Sequence, residues 1–337
     1  MTESKGSVRV DLLGGTIDLS PINLILKDVV TLNLATNLKA KIKIENTKEN
    51  HVQFISKDYD NELIVSESDF VNNKISAEAT GAFEFVVRIV ALFKTYKNLK
   101  ITLESGSPPG SGLGGSSAMG VTLYKGMLEH LEKYEAADSI ITKVQAVESQ
   151  ILNKGPAGYQ DYYPALFGGI LALKASVGGI EVEQLYNDDL KNFLEKSLIL
   201  VDSKEQRLSG INNWEVYKQF FDKDPDTIKG LEEIALLASD ALKAIKNKNF
   251  EQLLELIKKE GEVRTKLFPG IMTDKISKLF KKIKKLSPES GIKACGAGGG
   301  GCFLILCPDT GDDLLEVKDM ITAAGMKILP FKVNRPL

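Results

Sequence analysis

Residues 108–118 of the chain have the sequence Pro108-Pro109-Gly110-Ser111-Gly112-Leu113-Gly114-Gly115-Ser116-Ser117-Ala118. This segment follows a β-like run at 99–103 and precedes a helix-like run at about 116–131. Its glycines permit tight turns and let an anion approach the backbone amides. The following helix directs free N–H groups and the positive end of its dipole towards that anion. The segment therefore predicts a phosphate cradle and favours a nucleotide-dependent enzyme.

Two other phosphate-binding motifs fit this loop poorly. Gly110, Gly112 and Gly115 have the spacing of the dinucleotide fingerprint. That fingerprint also requires an acidic residue on the next strand, about twenty residues later, and here that distance falls in the charged helix end at 130–135. The Lys-Ser/Thr pair of a Walker loop is absent. A plain glycine-rich turn is the alternative interpretation.

The composition restricts the class of protein. A length of 337 residues suggests two domains, and 43% hydrophobic with 26% charged residues is ordinary for a soluble protein. The net charge of −2 argues against general nucleic-acid binding. No apolar run is long enough to span a bilayer and residues 1–7 lack a secretion signal, so a cytoplasmic location is expected. Cys295, Cys302 and Cys307 are expected to be reduced and structural.

The pattern of apolar residues predicts alternating strands and helices. The predicted strands are 8–13, 29–34, 40–44, 51–55, 62–65, 99–103, 169–173, 198–201, 302–306 and 327–333. The predicted helices are 80–96, 116–131, 138–152, 213–221, 229–246, 250–259, 274–286 and 314–324. A glycine-containing turn at 176–180 suggests a boundary between domains 1–178 and 179–337.

A second glycine cluster, Gly296-Ala297-Gly298-Gly299-Gly300-Gly301, precedes an apolar strand. Its helix–loop–strand order is the reverse of a dinucleotide site. Because each glycine costs chain entropy to order, close approach to a ligand or to the other glycine loop would explain so many of them. A flexible hairpin is the alternative.

Three motifs together resemble those of the GHMP kinases (galacto-, homoserine, mevalonate and phosphomevalonate kinases). They are the central segment 108–118, the segment from Val8 to Asp18 with its Gly14-Gly15-Thr16-Ile17-Asp18 ending, and the segment 293–301. The Gly-Gly-Thr-x-Asp ending is similar to that of heptose 7-phosphate kinases and fucose-kinase-like proteins. The segment Ala157-Gly158-Tyr159-Gln160-Asp161 resembles the Gly-x-Gln-Asp segment of the same branch.

The resemblance implies an α+β, two-domain fold, with an N-terminal domain like domain 2 of ribosomal protein S5 and a ferredoxin-like C-terminal domain. It implies a monomeric or homodimeric kinase that uses ATP and Mg²⁺ to phosphorylate a sugar or sugar phosphate, without a nucleic-acid or membrane partner. A mevalonate-type kinase, a non-catalytic sugar- or ATP-binding regulator and an ATP-dependent decarboxylase are the alternatives.

The resemblance also assigns roles to residues. The backbone from Pro109 to Ser117 would hold ATP, Asp161 would receive or orient the acceptor proton, and Arg9 would stabilise charge. Ser116, with Ser117 as its neighbour or substitute, and Glu148 would hold Mg²⁺. The residues expected to contact the substrate are Gly15, Thr16, Asp18, Gln160, Gly298 and Gly299, with Asp11 as a weaker candidate.

These assignments have structural alternatives. The serines could be helix caps, Asp161 a loop cap, Arg9 part of a structural salt bridge, Asp18 a turn residue and Glu148 a surface residue. A phosphorylated substrate would require additional positive charge, for which the candidates are Lys204, Arg207, Arg264 and Lys266.

Overall fold

A computed structural model describes residues 1–72, 75–152, 157–205, 213–307 and 312–337 of the chain. The predicted helix stop at 153–156 and Arg207 lie outside the described residues. The chain folds into two compact units that alternate along the sequence. The first unit comprises Met1–Val8, Leu38–Pro108 and Gly114–Phe167, and the second comprises Arg9–Asn37, Pro109–Leu113 and Gly168–Leu337.

The described strands and helices are named in chain order. The strands are β1 (Thr2–Leu13), β2 (Val30–Asn46), β3 (His51–Ser56), β4 (Asn61–Ser66), β5 (Leu99–Glu104), β6 (Ile170–Ser176), β7 (Gly179–Gln184), β8 (Leu198–Asp202), β9 (Gly291–Ala294), β10 (Cys302–Leu306) and β11 (Lys327–Ile328). The helices are α1 (Ile22–Ile25), α2 (Glu67–Val71), α3 (Ala77–Thr80), α4 (Glu84–Ala91), α5 (Gly115–His130), α6 (Ala137–Leu152), α7 (Tyr163–Phe167), α8 (Asp188–Ser197), α9 (Asn213–Phe221), α10 (Pro225–Lys246), α11 (Phe250–Leu267), α12 (Asp274–Leu286) and α13 (Asp312–Ala323).

In the first unit, a sheet supports three mutually packed helices. The C-terminal part of β2 pairs with β5 in antiparallel register, β5 pairs with β3 in parallel, and β3 forms a hairpin with β4. Helices α4, α5 and α6 contact one another. Gly120 allows α4 and α5 to approach closely, because a Cβ atom there would lie 2.5 Å from the Phe85 ring. This packing fixes the helix that follows the central glycine loop.

In the second unit, a four-stranded antiparallel sheet has the order β11-β8-β10-β9. Its strands and the helices between them follow the split β-α-β arrangement of a ferredoxin-like fold, which confirms that prediction for the C-terminal half. Helices α12 and α13 share a hydrophobic core with this sheet. Its buried members include Ile199, Val201, Ile276, Leu279, Ile283, Phe303, Ile305, Val317 and Ile321.

Within the second unit, the N-terminal part of β2 pairs with β6 in antiparallel register, and β6 forms a hairpin with β7. The turn of this hairpin contains the predicted boundary at 178/179. The compact units are defined by contacts, whereas the predicted domains were defined by sequence pattern. The units therefore do not test the boundary, which stays a prediction.

Several predicted elements differ from the observed ones. The predicted strands 29–34 and 40–44 form one continuous strand, β2. The predicted helix 80–96 is shorter, since Gly81 has a left-handed φ of +53° and α4 begins only at Glu84. Strand 327–333 is reduced to Lys327–Ile328. Helix α8 was not predicted, because it buries only one narrow stripe containing Leu190 and Leu194.

The cysteines are as expected from the sequence. Cys295, Cys302 and Cys307 are free and buried. Burial raises the pKa of the Cys295 thiol to about 12, so it is a weak nucleophile at neutral pH.

Candidate functional site

The central glycine loop has the backbone that a phosphate cradle requires. Gly110, Gly112 and Gly114 all have φ between +69° and +73°, a region that favours glycine. Gly114 occupies the N-cap position of α5 and has no side chain with which to cap it. The first amides of α5 are therefore not capped by residue 114, and this helix start has the features of an anion site.

The second glycine loop packs directly on the first within the second unit. The Cys302 amide donates to the Ser111 carbonyl at 2.7 Å. A Cβ atom at Gly301 would lie 2.6 Å from the Gly110 carbonyl oxygen, and one at Gly296 would lie 2.8 Å from that of Gly112. Close approach of the two loops therefore accounts for Gly296 and Gly301.

Arg9 joins the two glycine loops by its side chain. Its Nη1 donates to the carbonyl oxygens of Gly112 at 2.6 Å and Cys295 at 2.7 Å. Its backbone amide donates to the Leu113 carbonyl at 3.0 Å. Only 4% of Arg9 is exposed, so these carbonyls replace water around part of the guanidinium.

Four buried charged residues of the second unit contact one another, and the sequence motifs did not indicate them as a group. Lys293 Nζ lies 2.9 Å from Asp11 Oδ2 and 2.7 Å from Glu260 Oε2. Arg264 Nη1 lies 3.3 Å from the same Asp11 oxygen. We call Asp11, Glu260, Arg264 and Lys293 the buried charge network. It contains two carboxylates and two cations, so its formal charges balance.

The buried charge network also holds the backbone at Gly14 and at the start of the second glycine loop. Arg264 donates to the carbonyl oxygens of Ala294 at 3.1 Å and Gly296 at 2.7 Å. Glu260 Oε1 accepts from the Gly14 amide at 3.2 Å. Arg264 was a candidate for binding substrate phosphate, but the structure instead places it in this network with 2% of its surface exposed.

The sequence did contain a signal for this network. Lys293 lies between Ile292 and Ala294 in an apolar strand, and Glu260 and Arg264 are four residues apart on one helix. Residues with that spacing share a helix face. The identity of their partners could not be read from the sequence, because Asp11 is about 250 residues away along the chain.

Glu148 is buried in the first unit and is held by two hydroxyl groups. Ser117 Oγ donates to Glu148 Oε2 at 2.8 Å, and the Tyr162 hydroxyl donates to the same oxygen at 2.7 Å. Burial raises the pKa of Glu148, while the bonds from Tyr162 and Ser117 oppose that shift. The alternative of a surface residue is therefore wrong for Glu148. Ser117 makes this bond from a buried position, whereas Ser116 is exposed at the start of α5.

Asp161 lies against the N-cap of α5 in the same unit. A Cβ atom at Gly114 would lie 3.1 Å from the carboxyl carbon of Asp161. Asp161 is half-buried and Gln160 is buried. The charge of Asp161 and a hydrogen bond from Ser116 both influence the pKa of Glu148. The structure therefore brings together four residues that sequence analysis selected, Ser116, Ser117, Glu148 and Asp161.

The predicted substrate residues of the second unit lie on short turns. Thr16 and Asp18 are each 3% exposed. Thr16 Oγ1 has no hydrogen-bond partner within the described part of the chain. The Tyr217 hydroxyl donates to the Ser20 carbonyl, and burial followed by the charge of Asp18 raises the pKa of Tyr217.

The glycines predicted to contact substrate at the C-terminal loop adjoin residue 271. The Gly299 amide donates to the Ile271 carbonyl at 2.9 Å. A Cβ atom at Gly298 would collide with Ile271. The remaining candidates for a substrate phosphate, Lys204 and Lys266, are exposed, and Lys204 pairs with Asp202 at 2.9 Å.

No group of three or more His, Cys, Asp or Glu side chains suited to a metal ion occurs among the described residues. A magnesium nucleotide needs fewer protein ligands, because waters and phosphates fill most of its coordination sphere. The hydroxyl and carboxylate oxygens of Ser117 and Glu148 are the hard ligands that Mg²⁺ prefers.

None of the described helices is both long and apolar enough to cross a membrane.

Known proteins are similar to this sequence over most of its length. An Arabidopsis thaliana protein, "Bifunctional fucokinase/GDP-fucose pyrophosphorylase", is 29% identical over 317 residues, which are 90% of this chain but only 29% of that protein. "Glucuronokinase 1" of Arabidopsis thaliana is 21% identical over 98% of this chain and 92% of its own length. A crystal structure of mevalonate kinase has a TM-score of 0.74 and 21% identity, covering 99% of this chain and 100% of that one, which shows a shared fold.

Two family profiles match the sequence in the expected order. The profile "GHMP kinases N terminal domain" matches residues 81–169, which include the central glycine loop and Asp161. The profile "GHMP kinases C terminal" matches residues 241–325, which include the second glycine loop. The two matches together span just over half of the chain, and they agree with the fold and with the position of the loops. The chain belongs to the GHMP kinases.

Proposed function

We propose that this protein transfers the γ-phosphoryl group of ATP to a hydroxyl group of a sugar or sugar phosphate. The observation that best supports this proposal is the position of Asp161, whose carboxyl group lies against Gly114 at the start of α5. A helix N-terminus next to a half-buried carboxylate suits phosphoryl transfer to an alcohol, because the helix can hold phosphates beside a group that orients the hydroxyl.

In this proposal the backbone from Pro109 to Ser117 holds the phosphates of ATP. The left-handed glycines leave the amides without side chains between them and the nucleotide. Asp161 orients the acceptor hydroxyl and accepts its proton as the new O–P bond forms. Arg9, buried between the two glycine loops, contributes positive charge that stabilises the transition state and keeps both loops in place.

Glu148 and Ser117 would hold Mg²⁺, with exposed Ser116 contacting phosphate or the ion itself. When bound, Mg²⁺ neutralises charge on the phosphate oxygens. The buried position of Glu148 and its 2.8 Å bond to Ser117 fit this role, since both side chains offer oxygen ligands. This differs from the sequence-based choice of Ser116 as the principal serine.

The substrate would lie against Gly15, Thr16, Asp18, Gln160, Gly298 and Gly299. A buried threonine hydroxyl without a partner among the described residues, close in sequence to a buried carboxylate, suits a ligand with several hydroxyl groups. The names of the fucokinase and glucuronokinase relatives also favour a sugar. The Gly-Gly-Thr-x-Asp motif favours a heptose 7-phosphate type of substrate, with phosphorylation at an anomeric or ring hydroxyl.

A kinase of mevalonate-type substrates is the second candidate. The mevalonate kinase structure has the same fold, so the fold does not separate the two substrates. The buried polar residues Thr16 and Asp18 favour the sugar. We further propose a cytoplasmic location and a monomeric or homodimeric state, both of which are expectations from the sequence.

The test is a coupled assay of ADP release with a panel of sugars, sugar phosphates and mevalonate. We expect turnover with a sugar or sugar phosphate. Asp161→Asn should retain nucleotide affinity and reduce kcat by about 10²–10⁴-fold. Turnover with mevalonate alone would replace the sugar assignment. Binding of ATP and sugar without any ADP release would indicate a regulator, and CO₂ release would indicate a decarboxylase.

A further inference from the structure

Tyr162 is a fully buried side chain with a polar end that sequence analysis did not assign to the site. None of its surface is exposed, and it is among the largest side chains buried to this degree. Its hydroxyl donates to Glu148 Oε2 at 2.7 Å. Ser117 Oγ donates to the same oxygen at 2.8 Å. Two donors from different segments therefore converge on one carboxylate oxygen.

An ionised carboxylate only accepts hydrogen bonds, so the Tyr162 hydroxyl, which lies 2.7 Å from Glu148 Oε2, is the donor of this bond. A buried carboxylate without such donors would be strongly disfavoured in its charged form.

Tyr162 also follows Asp161 directly in the chain. Asp161 is placed against Gly114, and the next residue points its hydroxyl at Glu148. One dipeptide therefore positions the proposed proton acceptor and supports the proposed metal ligand. The Tyr162 amide donates to the Tyr159 carbonyl at 3.4 Å, which ties this dipeptide to the preceding turn.

We propose that Tyr162 is a positioning residue for the divalent cation: its hydroxyl holds Oε2 of Glu148, so that the carboxylate is presented to the metal–nucleotide complex in a single orientation. This inference rests on the proposed function, in which Glu148 is a metal ligand. Ser117 has a dual part, because its proton goes to Glu148 while its oxygen lone pairs remain available for the cation. Without the phenol, Glu148 keeps only the serine hydroxyls at the start of α5 as donors and can rotate.

The test compares Tyr162→Phe with Tyr163→Phe. Both variants lose only a hydroxyl from a buried tyrosine, but the ring of Tyr163 packs against Tyr159 and Phe167. The measurement is Mn²⁺ binding to the protein–ADP complex by electron paramagnetic resonance, without an acceptor substrate. We expect Tyr162→Phe to weaken Mn²⁺ binding about tenfold and Tyr163→Phe to bind as the wild type does. ADP affinity without metal should be unchanged in both.

Glu148→Gln separates failure of the inference from failure of the proposed function. If Glu148→Gln binds Mn²⁺ as tightly as the wild type, Glu148 is not a metal ligand and the proposed metal site is wrong. If Glu148→Gln weakens Mn²⁺ binding but Tyr162→Phe does not, Glu148 keeps its role and the inference about Tyr162 is overturned. In the Glu148→Gln background, Tyr162→Phe should have no further effect on Mn²⁺ affinity.

A second measurement does not depend on the folding of Tyr162→Phe. Site-specific incorporation of 3-fluorotyrosine at position 162 keeps the ring and the hydroxyl and supplies a fluorine resonance. We expect this resonance to shift when Mg²⁺ is added to the ADP complex, because the partner carboxylate changes its charge distribution. The same label at position 163 should not respond. A resonance at position 162 that is insensitive to Mg²⁺ would overturn the inference.

Discussion

Lys293 Nζ lies 2.7 Å from Glu260 Oε2, and neither side chain has any exposed surface. The same ammonium group lies 2.9 Å from Asp11, so one cation neutralises two buried carboxylates. Removing one partner of a buried pair leaves an uncompensated charge, which is far more destabilising than the loss of a surface pair. Lys293 is therefore expected to be critical for the stability of the second unit.

Lys293→Met should lower the free energy of unfolding by about 3–5 kcal/mol. The measurement is urea denaturation followed by circular dichroism. Lys41→Met is the control, since Lys41 pairs with Glu104 at the same 2.7 Å but is 51% exposed, and it should cost about 0–1 kcal/mol. Equal losses for the two variants would contradict the importance of burial here.

Gly114→Ala should reduce turnover far more than it reduces stability. The added Cβ atom would lie 3.1 Å from the Asp161 carboxyl carbon and so displace it, and a misplaced catalytic group can cost about 100-fold in rate. Gly325→Ala is the matched control, because Gly325 has nearly the same φ (+68° against +70°) and open space around its Cβ position. Both variants should lose about 1–2 kcal/mol to backbone strain, but Gly325→Ala should keep the wild-type kcat.

Arg264→Lys should loosen the second glycine loop. Lysine keeps the positive charge near Asp11, but its single ammonium group does not reproduce the bonds to Ala294 and Gly296. We expect faster amide hydrogen exchange in the peptide covering 294–302, measured by mass spectrometry. Lys266→Ala, at an exposed position of the same helix, should leave exchange in that peptide unchanged. Unchanged exchange in Arg264→Lys would show that the loop does not depend on the guanidinium.

Glu195 should make stability depend on pH. It accepts a hydrogen bond from the Val333 amide at 2.8 Å and pairs with Lys332 and Lys191 at 3.2 Å. Burial raises the pKa of Glu195, but these bonds outweigh it and the net pKa is lower than the ordinary 4.5. A lowered folded-state pKa gives stability that is present above the unfolded-state pKa and is lost as the pH falls through the folded-state value.

Glu195→Gln should therefore lower the Tm at pH 7, and the difference from wild type should shrink as the pH falls below about 4.5. Thermal unfolding at pH 7 and in the acid range measures this. Glu262→Gln, at an exposed position of α11, is the control and should change Tm little at either pH. A Tm difference that is the same at both pH values would exclude the ionised carboxylate as its cause.

Local pattern was sufficient to predict the elements that carry the glycine loops. The helix predicted at 116–131 is α5, Gly115–His130, and the strand predicted at 302–306 is β10. At both places a group of glycines lies directly before an apolar run, so both features predict that the element begins there. The pattern failed between 34 and 40, where polar residues in β2 resembled a turn although the strand continues through them.

The sequence motifs indicated several residues of the candidate site, but they did not indicate the buried residues that hold those segments in place. Asp161, Glu148 and Ser117 were chosen from the sequence and lie together in the first unit. Tyr162, Glu260 and Lys293 were not chosen, because buried polar residues acquire their roles from partners distant in the chain. A tyrosine within an aromatic-rich loop gives no sign of which carboxylate its hydroxyl will meet.

The bond from the Cys302 amide to the Ser111 carbonyl has a consequence for biosynthesis. During translation, the ribosome completes the first glycine loop long before it adds the strand on which that loop rests. A nascent polypeptide that ends before residue 302 has the loop's sequence without the support for its shape. Nucleotide recognition should therefore arise late in synthesis, and ribosome-bound fragments shorter than this should not be retained on an ATP resin.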